Sequence, residues 1–226
     1  MGLGLAVYLS SNGLRALALE VSRLRDQPEL SRVVKNRLSE FKEAGRMGSR
    51  RWFEELVFCL LTAFSSAQSG LRCVAALGEK DLLAGGSQGE IAQCLKDSGY
   101  RFPNKRAEYI FEARRLAPSL KEKVVSSGGS KKARAWLVEN VRGLGWKEAS
   151  HFLRNVGFFD VAIVDRHIMG VLRDYGLVDL DPERGVSKKR YLQVEGVLEG
   201  LAMELGMSLG ELDLYLWYMK TGQILK

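Results

Sequence analysis

The chain has only three cysteines, Cys59, Cys73 and Cys94, and no two of them form a CxxC pair. That pattern argues against a disulfide framework, a zinc knuckle and a four-cysteine iron–sulfur cluster. Histidine is scarcer, limited to His151 and His167, and neither belongs to a cluster with metal-ligand spacing. Catalysis without metal or other cofactor, in a reduced cytoplasmic setting, is the resulting expectation. Long apolar runs are missing as well. The longest, Leu56 to Phe64, is too short to span a bilayer, and Met1 to Leu9 lacks the basic region and cleavage pattern of a signal peptide. No membrane association is expected. Strand-like alternation is nearly absent, and the four prolines fall near predicted helix starts or in loops.

What is present is amphipathic helix. Apolar residues recur at three- and four-residue spacing over Leu14–Leu24, Leu30–Phe41, Trp52–Phe64, Ile91–Leu95 and Ala107–Leu116. Ser87 with Glu90 and Ser208 with Glu211 match the capping-box pattern. Breakers at Asn12-Gly13, Gly85-Gly86, Gly128-Gly129 and Asp181-Pro182 are expected to separate helices. The fold class is all-α. The balance of 46% hydrophobic and 27% charged residues is that of an ordinary globular chain. The net charge of +7 suits a polyanionic partner, since neutralising phosphates releases counterions, although charge alone does not select one.

The chemically informative stretch is Val141-Arg142-Gly143-Leu144-Gly145-Trp146-Lys147-Glu148-Ala149, set between predicted helices at about Lys131–Val141 and Lys147–Val156. Two glycines around one apolar residue permit a tight reversal with positive φ, and Leu144 can tuck between the helices. Such a turn directs the first amides of the second helix outward, as a phosphate site. Gly143 and Gly145 thus read either as a DNA-backbone grip or as a plain helical hairpin with a glycine C-cap. Eighteen residues after Lys147 lies Asp165, in the stretch Val161-Ala162-Ile163-Val164-Asp165-Arg166-His167, where an apolar run ends in an acid at a predicted helix N-cap.

This combination resembles the helix-hairpin-helix superfamily of DNA glycosylases, and within it the archaeal-type, second family of 8-oxoguanine DNA glycosylase/AP lyases. The stretch Gly143 to Gly157 looks like that family's hairpin, although Arg142 stands where a proline is usual. The ending Leu212-Asp213-Leu214-Tyr215-Leu216-Trp217-Tyr218, followed by Thr221-Gly222 and Lys226, is also similar. The resemblance extends from about Trp52 onward, leaving the first fifty residues with a packing role. It implies two helical lobes, one from residues 1–66 plus 185–226 and one from 67–184, with a lesion-binding cleft between them. It further implies action on double-stranded DNA that contains 8-oxoguanine; a monomer is the default expectation.

The residues fit the implied chemistry. An unprotonated lysine amine at Lys147 can attack the anomeric carbon and form a Schiff base, which permits β-elimination. Asp165 can take the amine proton or stabilise the positive charge developing on the sugar. Read without the resemblance, Lys147 is a phosphate-binding lysine and Asp165 a structural N-cap. His167 reads equally as an orienting residue or a structural one, and His151 as structural.

For the substrate, Asp213 and Trp217 share a helix face at i, i+4. The resemblance makes Trp217 a stacking residue for the extruded base and the terminal carboxylate of Lys226 an acceptor for guanine N–H groups. Alternatively, Trp217 belongs to the core and Asp213 serves the helix dipole. Leu61 to Gln68 resembles the segment that fills the gap left by a flipped base, with either Phe64 or Gln68 as the filler. Arg101 to Arg106 either lines the pocket or caps a helix. Two other functions remain open: the same chemistry on a different oxidised base, or a helix-hairpin-helix DNA-binding module without catalysis.

Overall fold

The structure, a computed structural model, describes residues 11–63, 65–179 and 186–225. Among these there are twelve α-helices and no strand: α1 (Ser11–Arg25), α2 (Pro28–Arg46), α3 (Ser49–Thr62), α4 (Ala67–Glu79), α5 (Gln88–Asp97), α6 (Pro103–Ala113), α7 (Leu120–Val125), α8 (Ser130–Asn140), α9 (Trp146–Asn155), α10 (Arg166–Asp174), α11 (Lys188–Leu205) and α12 (Leu209–Thr221). The all-α expectation holds, and so do most of the predicted helices.

Three local expectations need correction. Asn12-Gly13 lies within the first turn of α1 and breaks nothing. A helix also starts at Ala67, within Leu61 to Gln68, whose resemblance implies a helix end followed by a loop, because the Ser66 hydroxyl caps it by accepting from Ser69 N at 3.1 Å. The predicted helix over Ala107–Leu116 is α-helical only to Ala113 and then tightens into a 3₁₀ turn at Arg114–Leu116. The Asp181-Pro182 breaker lies outside the described residues.

The chain divides into two compact units, residues 1–40 with 158–226, and residues 41–157. Both termini fall in one unit, but the division lies at 40/41, within α2, and at 157/158. The expected limits were 66/67 and 184/185. The reason is α3, which carries Trp52, Phe53, Leu56, Val57, Phe58, Cys59, Leu60 and Leu61, all buried. A helix buried on every side from Leu56 onward must sit at the centre of its unit. Helix α3 packs on α4, α6, α7 and α9, and so belongs with the hairpin.

Its last carbonyls are then satisfied from outside. The buried Tyr100 hydroxyl donates to Leu61 O at 2.7 Å, and Arg106 Nη2 donates to Ala63 O at 3.2 Å. In the other unit, α1 packs on α11 and α12, and α10 on α12. Arg25 closes the end of α11 by donating to Leu205 O at 2.8 Å.

Both predicted serine caps are present. Ser87 and Glu90 form the full reciprocal capping box, with Ser87 N donating to Glu90 Oε2 at 2.8 Å. The Ser208 hydroxyl accepts from Glu211 N at 3.1 Å.

Candidate active site

The hairpin is α8, the turn Val141–Gly145, and α9. Gly143 holds φ +84, the left-handed region open to glycine, and an added Cβ there would lie 2.2 Å from the Tyr109 ring. Backbone conformation and space therefore both require glycine. Gly145, the second glycine of the turn, does not share the positive φ: its value is −87. Its extended conformation is that of a helix N-cap, and an added Cβ would meet only the flexible Glu148 carboxylate, at 2.9 Å. Leu144 is buried, as expected, and its N–H donates to Val141 O at 3.2 Å. Gly145 caps α9 without a side chain, so the first amides of α9 receive no side-chain acceptor from the cap.

Arg142, in the position where proline is usual, anchors the turn from outside. Its Nη1 lies 2.6 Å from Glu108 Oε1 and 2.8 Å from Glu112 Oε1, both on α6, and its guanidinium sits over the Tyr109 ring. Lys105 and Arg106 also lie over that ring. Hydrogen bonding from Lys105, then the charge of Arg142, holds the Glu108 carboxyl below its ordinary range. Beneath the hairpin, buried Arg134 of α8 stacks on Trp146 at 4.7 Å and donates to the Ser150 hydroxyl at 3.1 Å.

Lys147 stands in the first turn of α9, its side chain 28% exposed, and Nζ lies 3.3 Å from Glu148 Oε1. His151 is buried with its ring edge-on to Phe58, the structural place expected for it.

In the unit formed by both termini, Asp165 follows a buried irregular run, Val161 to Val164, whose backbone polar groups are met by α11. Glu195 Oε1 accepts from Ala162 N at 2.9 Å. The Tyr191 hydroxyl donates to Ala162 O at 2.6 Å and accepts from Val164 N at 3.3 Å. This framework delivers Asp165 to the N-cap of α10, where Oδ1 accepts from His167 N at 2.8 Å and Ile168 N at 2.9 Å. Both cap bonds use one oxygen, so capping leaves Oδ2 out. A capping role and a chemical role therefore do not compete.

Trp217 is half-buried, not a core residue, and the His167 ring meets it edge-on at 5.5 Å. His167 thus touches both groups, holding the Asp165 carboxylate through its N–H and the Trp217 ring through its imidazole. Asp213, one turn before Trp217, is buried. Gly222, at φ +66, ends α12. Phe64 and Lys226 lie outside the described residues, and Gln68 is exposed in the first turn of α4. In the basic segment before α6, Pro103 starts the helix and Phe102, under the Arg101 guanidinium at 4.9 Å, is 41% exposed.

Sequence reasoning missed Tyr109 and the carboxylates of α6, because their relation to Gly143 and Arg142 is tertiary. Glu148 carried a local signal, being an acid in the first turn beside the lysine. Among the described residues no group of His, Cys, Asp or Glu is placed to hold a metal ion, and no helix is long and apolar enough to cross a membrane.

A family model described as 8-oxoguanine DNA glycosylase matches residues 34–207, beginning well before Trp52, so the likeness reaches into the first fifty residues. A protein of Korarchaeum cryptofilum named 8-oxoguanine DNA glycosylase/AP lyase is 45% identical over 214 residues, covering 95% of this chain and 100% of its own length. The crystal structure of Methanocaldococcus jannaschii 8-oxoguanine DNA glycosylase superposes with a TM-score of 0.87 at 40% identity, covering 94% of this chain and 97% of the other. A structure of that organism's 8-oxoguanine glycosylase/lyase in complex with a 15mer DNA containing 8-oxoguanine gives a TM-score of 0.88 at 40% identity, over 93% of this chain and all of the other. With its hairpin, its lysine on the hairpin's second helix and its acid-capped α10, the chain belongs to the 8-oxoguanine DNA glycosylase family.

Proposed function

We propose that this chain is a bifunctional DNA glycosylase/AP lyase that excises 8-oxoguanine from duplex DNA and then cleaves the strand. The observation that carries the reading is Lys147, a half-exposed amine in the first turn of α9, directly after the Gly143–Gly145 turn. The α9 amides that Gly145 leaves without a side-chain cap bind a backbone phosphate, which sets the strand at the hairpin without reading its sequence.

The extruded guanine stacks on Trp217, whose ring His167 holds from the edge, and Asp213 with Lys226 reads its polar edge. Phe64 fills the gap left in the helix. As the glycosidic bond breaks, Asp165 Oδ2 faces the positive charge on the sugar, while Oδ1 remains bound to the α10 amides. The Lys147 amine bonds to the anomeric carbon as the base leaves. The ring-opened Schiff base then acidifies the neighbouring sugar C–H, whose loss expels the 3′ phosphate.

The test is borohydride trapping on an 8-oxoguanine duplex, beside an undamaged duplex and the Lys147→Gln variant. A covalent adduct requiring both the lesion and Lys147 is the expected outcome. Tight duplex binding with no adduct would sink the lyase reading.

A further inference from the structure

The amine of Lys147 has a carboxylate neighbour within its own helical turn. Adjacent residues on an α-helix point about 100° apart and do not ordinarily face each other. Glu148 nonetheless brings Oε1 to 3.3 Å from Lys147 Nζ, and its Oε2 lies against Gly145, 2.9 Å from where a Cβ would stand. The side chain is only 14% exposed. The carboxylate is thus folded back over the hairpin turn, with one oxygen on the amine and the other on the N-cap residue. Gly145 leaves the room for this, although its backbone angles would accept any residue. The third position of a helix is also where a negative charge is best tolerated.

From this geometry we infer that Glu148 is the proton acceptor for Lys147, a role that rests on the Schiff-base reading above. Lys147 Nζ gives one proton to Glu148 Oε1. The freed lone pair forms the Nζ–C1′ bond while the C1′–base bond breaks, and its electron pair leaves with the base. Glu148 returns its proton to the departing base and is again a carboxylate. The second Nζ proton passes through the same carboxylate to the ring oxygen as the C1′–O4′ bond opens, leaving a singly protonated Schiff base. Three protons begin on the ammonium. One ends on the base, one on the sugar hydroxyl and one on the imine nitrogen.

The experiment compares wild type, Lys147→Gln, Glu148→Gln and Glu148→Ala in single-turnover excision and borohydride trapping on an 8-oxoguanine duplex. Duplex affinity is measured in the Lys147→Gln background, with and without Glu148→Gln, and melting temperature is recorded for every variant. Glu148→Gln should slow excision and trapping together by about 10²-fold, the usual weight of a positioned base, with affinity and melting almost unmoved. Added formate should restore part of the Glu148→Ala rate, saturating with concentration, because a small carboxylate can occupy the vacated space. A purely structural Glu148 would give no such rescue.

Glu148→Gln within threefold of wild type overturns the assignment. So does a loss matched by falling affinity or melting temperature, and so does failure of formate to rescue a folded Glu148→Ala. A wild type that neither excises nor traps overturns the underlying activity instead, and the two failures are read from different lanes.

Discussion

The two units each present a helix start, and the starts are built in opposite ways. Helix α9 begins at Gly145, which offers its amides no side-chain acceptor, whereas α10 begins at Asp165, whose Oδ1 already takes two of them. Both have the same dipole and the same orphan donors. The cap decides what each can do. An uncapped start is a place for a phosphate, and a carboxylate-capped start is a rigid mount for the carboxylate itself. Asp165 spends one oxygen on its own helix, while Gly145 gives the first amides of α9 no side-chain acceptor.

The strongest way to test the α10 half of this contrast is to separate cap from charge. Asp165→Asn keeps an oxygen for the His167 and Ile168 amides and removes the negative charge. Excision should fall about 10²–10⁴-fold with the melting temperature hardly changed. Asp165→Ala should lose the activity and also about 1 kcal/mol of stability, the usual value of a cap. If Asp165→Asn excised normally, Asp165 would be a cap and nothing more.

The turn that exposes the α9 amides depends on Gly143 far more than on Gly145. Gly143→Ala forces a side chain into left-handed backbone and into the Tyr109 ring, 2.2 Å from the new carbon. The combined cost is about 2–4 kcal/mol, readable in urea denaturation. Tyr109→Ala in the same chain should recover the steric part and leave the backbone part. Gly145→Ala, with only the Glu148 carboxylate in its way, should cost well under half as much.

Rebuilding α9 as a second α10 is the next test. Gly145→Asp places a capping carboxylate where none exists, on a backbone already in the N-cap conformation. The cap's few tenths of a kcal/mol are offset by crowding and repulsion of the Glu148 carboxylate, so stability should change little. Duplex affinity should fall about tenfold, because the new carboxylate competes for the amides and repels the phosphate. Affinity that stayed level would mean that the hairpin does not bind DNA through this helix start.

The sequence shows this contrast unevenly. The caps of α5, α10 and α12 were legible, because a cap is a local event in which serine or aspartate meets an amide two or three residues on. The hairpin, Lys147 and Asp165 could be placed for the same reason. Helix α4 carries a weaker signal, since only its Ser66 cap marks its start within the stretch Leu61 to Gln68. The Gly-x-Gly spacing shows a tight reversal with positive φ without saying which glycine turns and which caps. The division between units differs from the expected one because it depends on where α3 is buried. Its apolar second half, Leu56 to Leu61, signals a central helix without saying which unit it is central to. The Tyr109 packing and the ion pairs of Arg142 span about thirty residues of sequence, and no local pattern encodes them.

Those ion pairs carry the smallest expected effect and the last test of the hairpin half. Arg142 binds Glu108 and Glu112 at the surface, so salt screens the contact and its contribution is modest. The sign with pH follows from the direction of the Glu108 shift. Hydrogen bonding from Lys105, with the Arg142 charge behind it, holds that carboxyl below its unfolded value. A depressed carboxyl contributes stability above its unfolded value and loses it as pH falls through the folded one. The melting-temperature gap between wild type and Arg142→Ala should therefore be present at neutral pH, shrink on acidification below the ordinary carboxylate range, and shrink also in concentrated salt. A gap constant across both series would assign Arg142 to packing on Tyr109 instead, and the hairpin turn would then be held by an aromatic face with the carboxylates as bystanders.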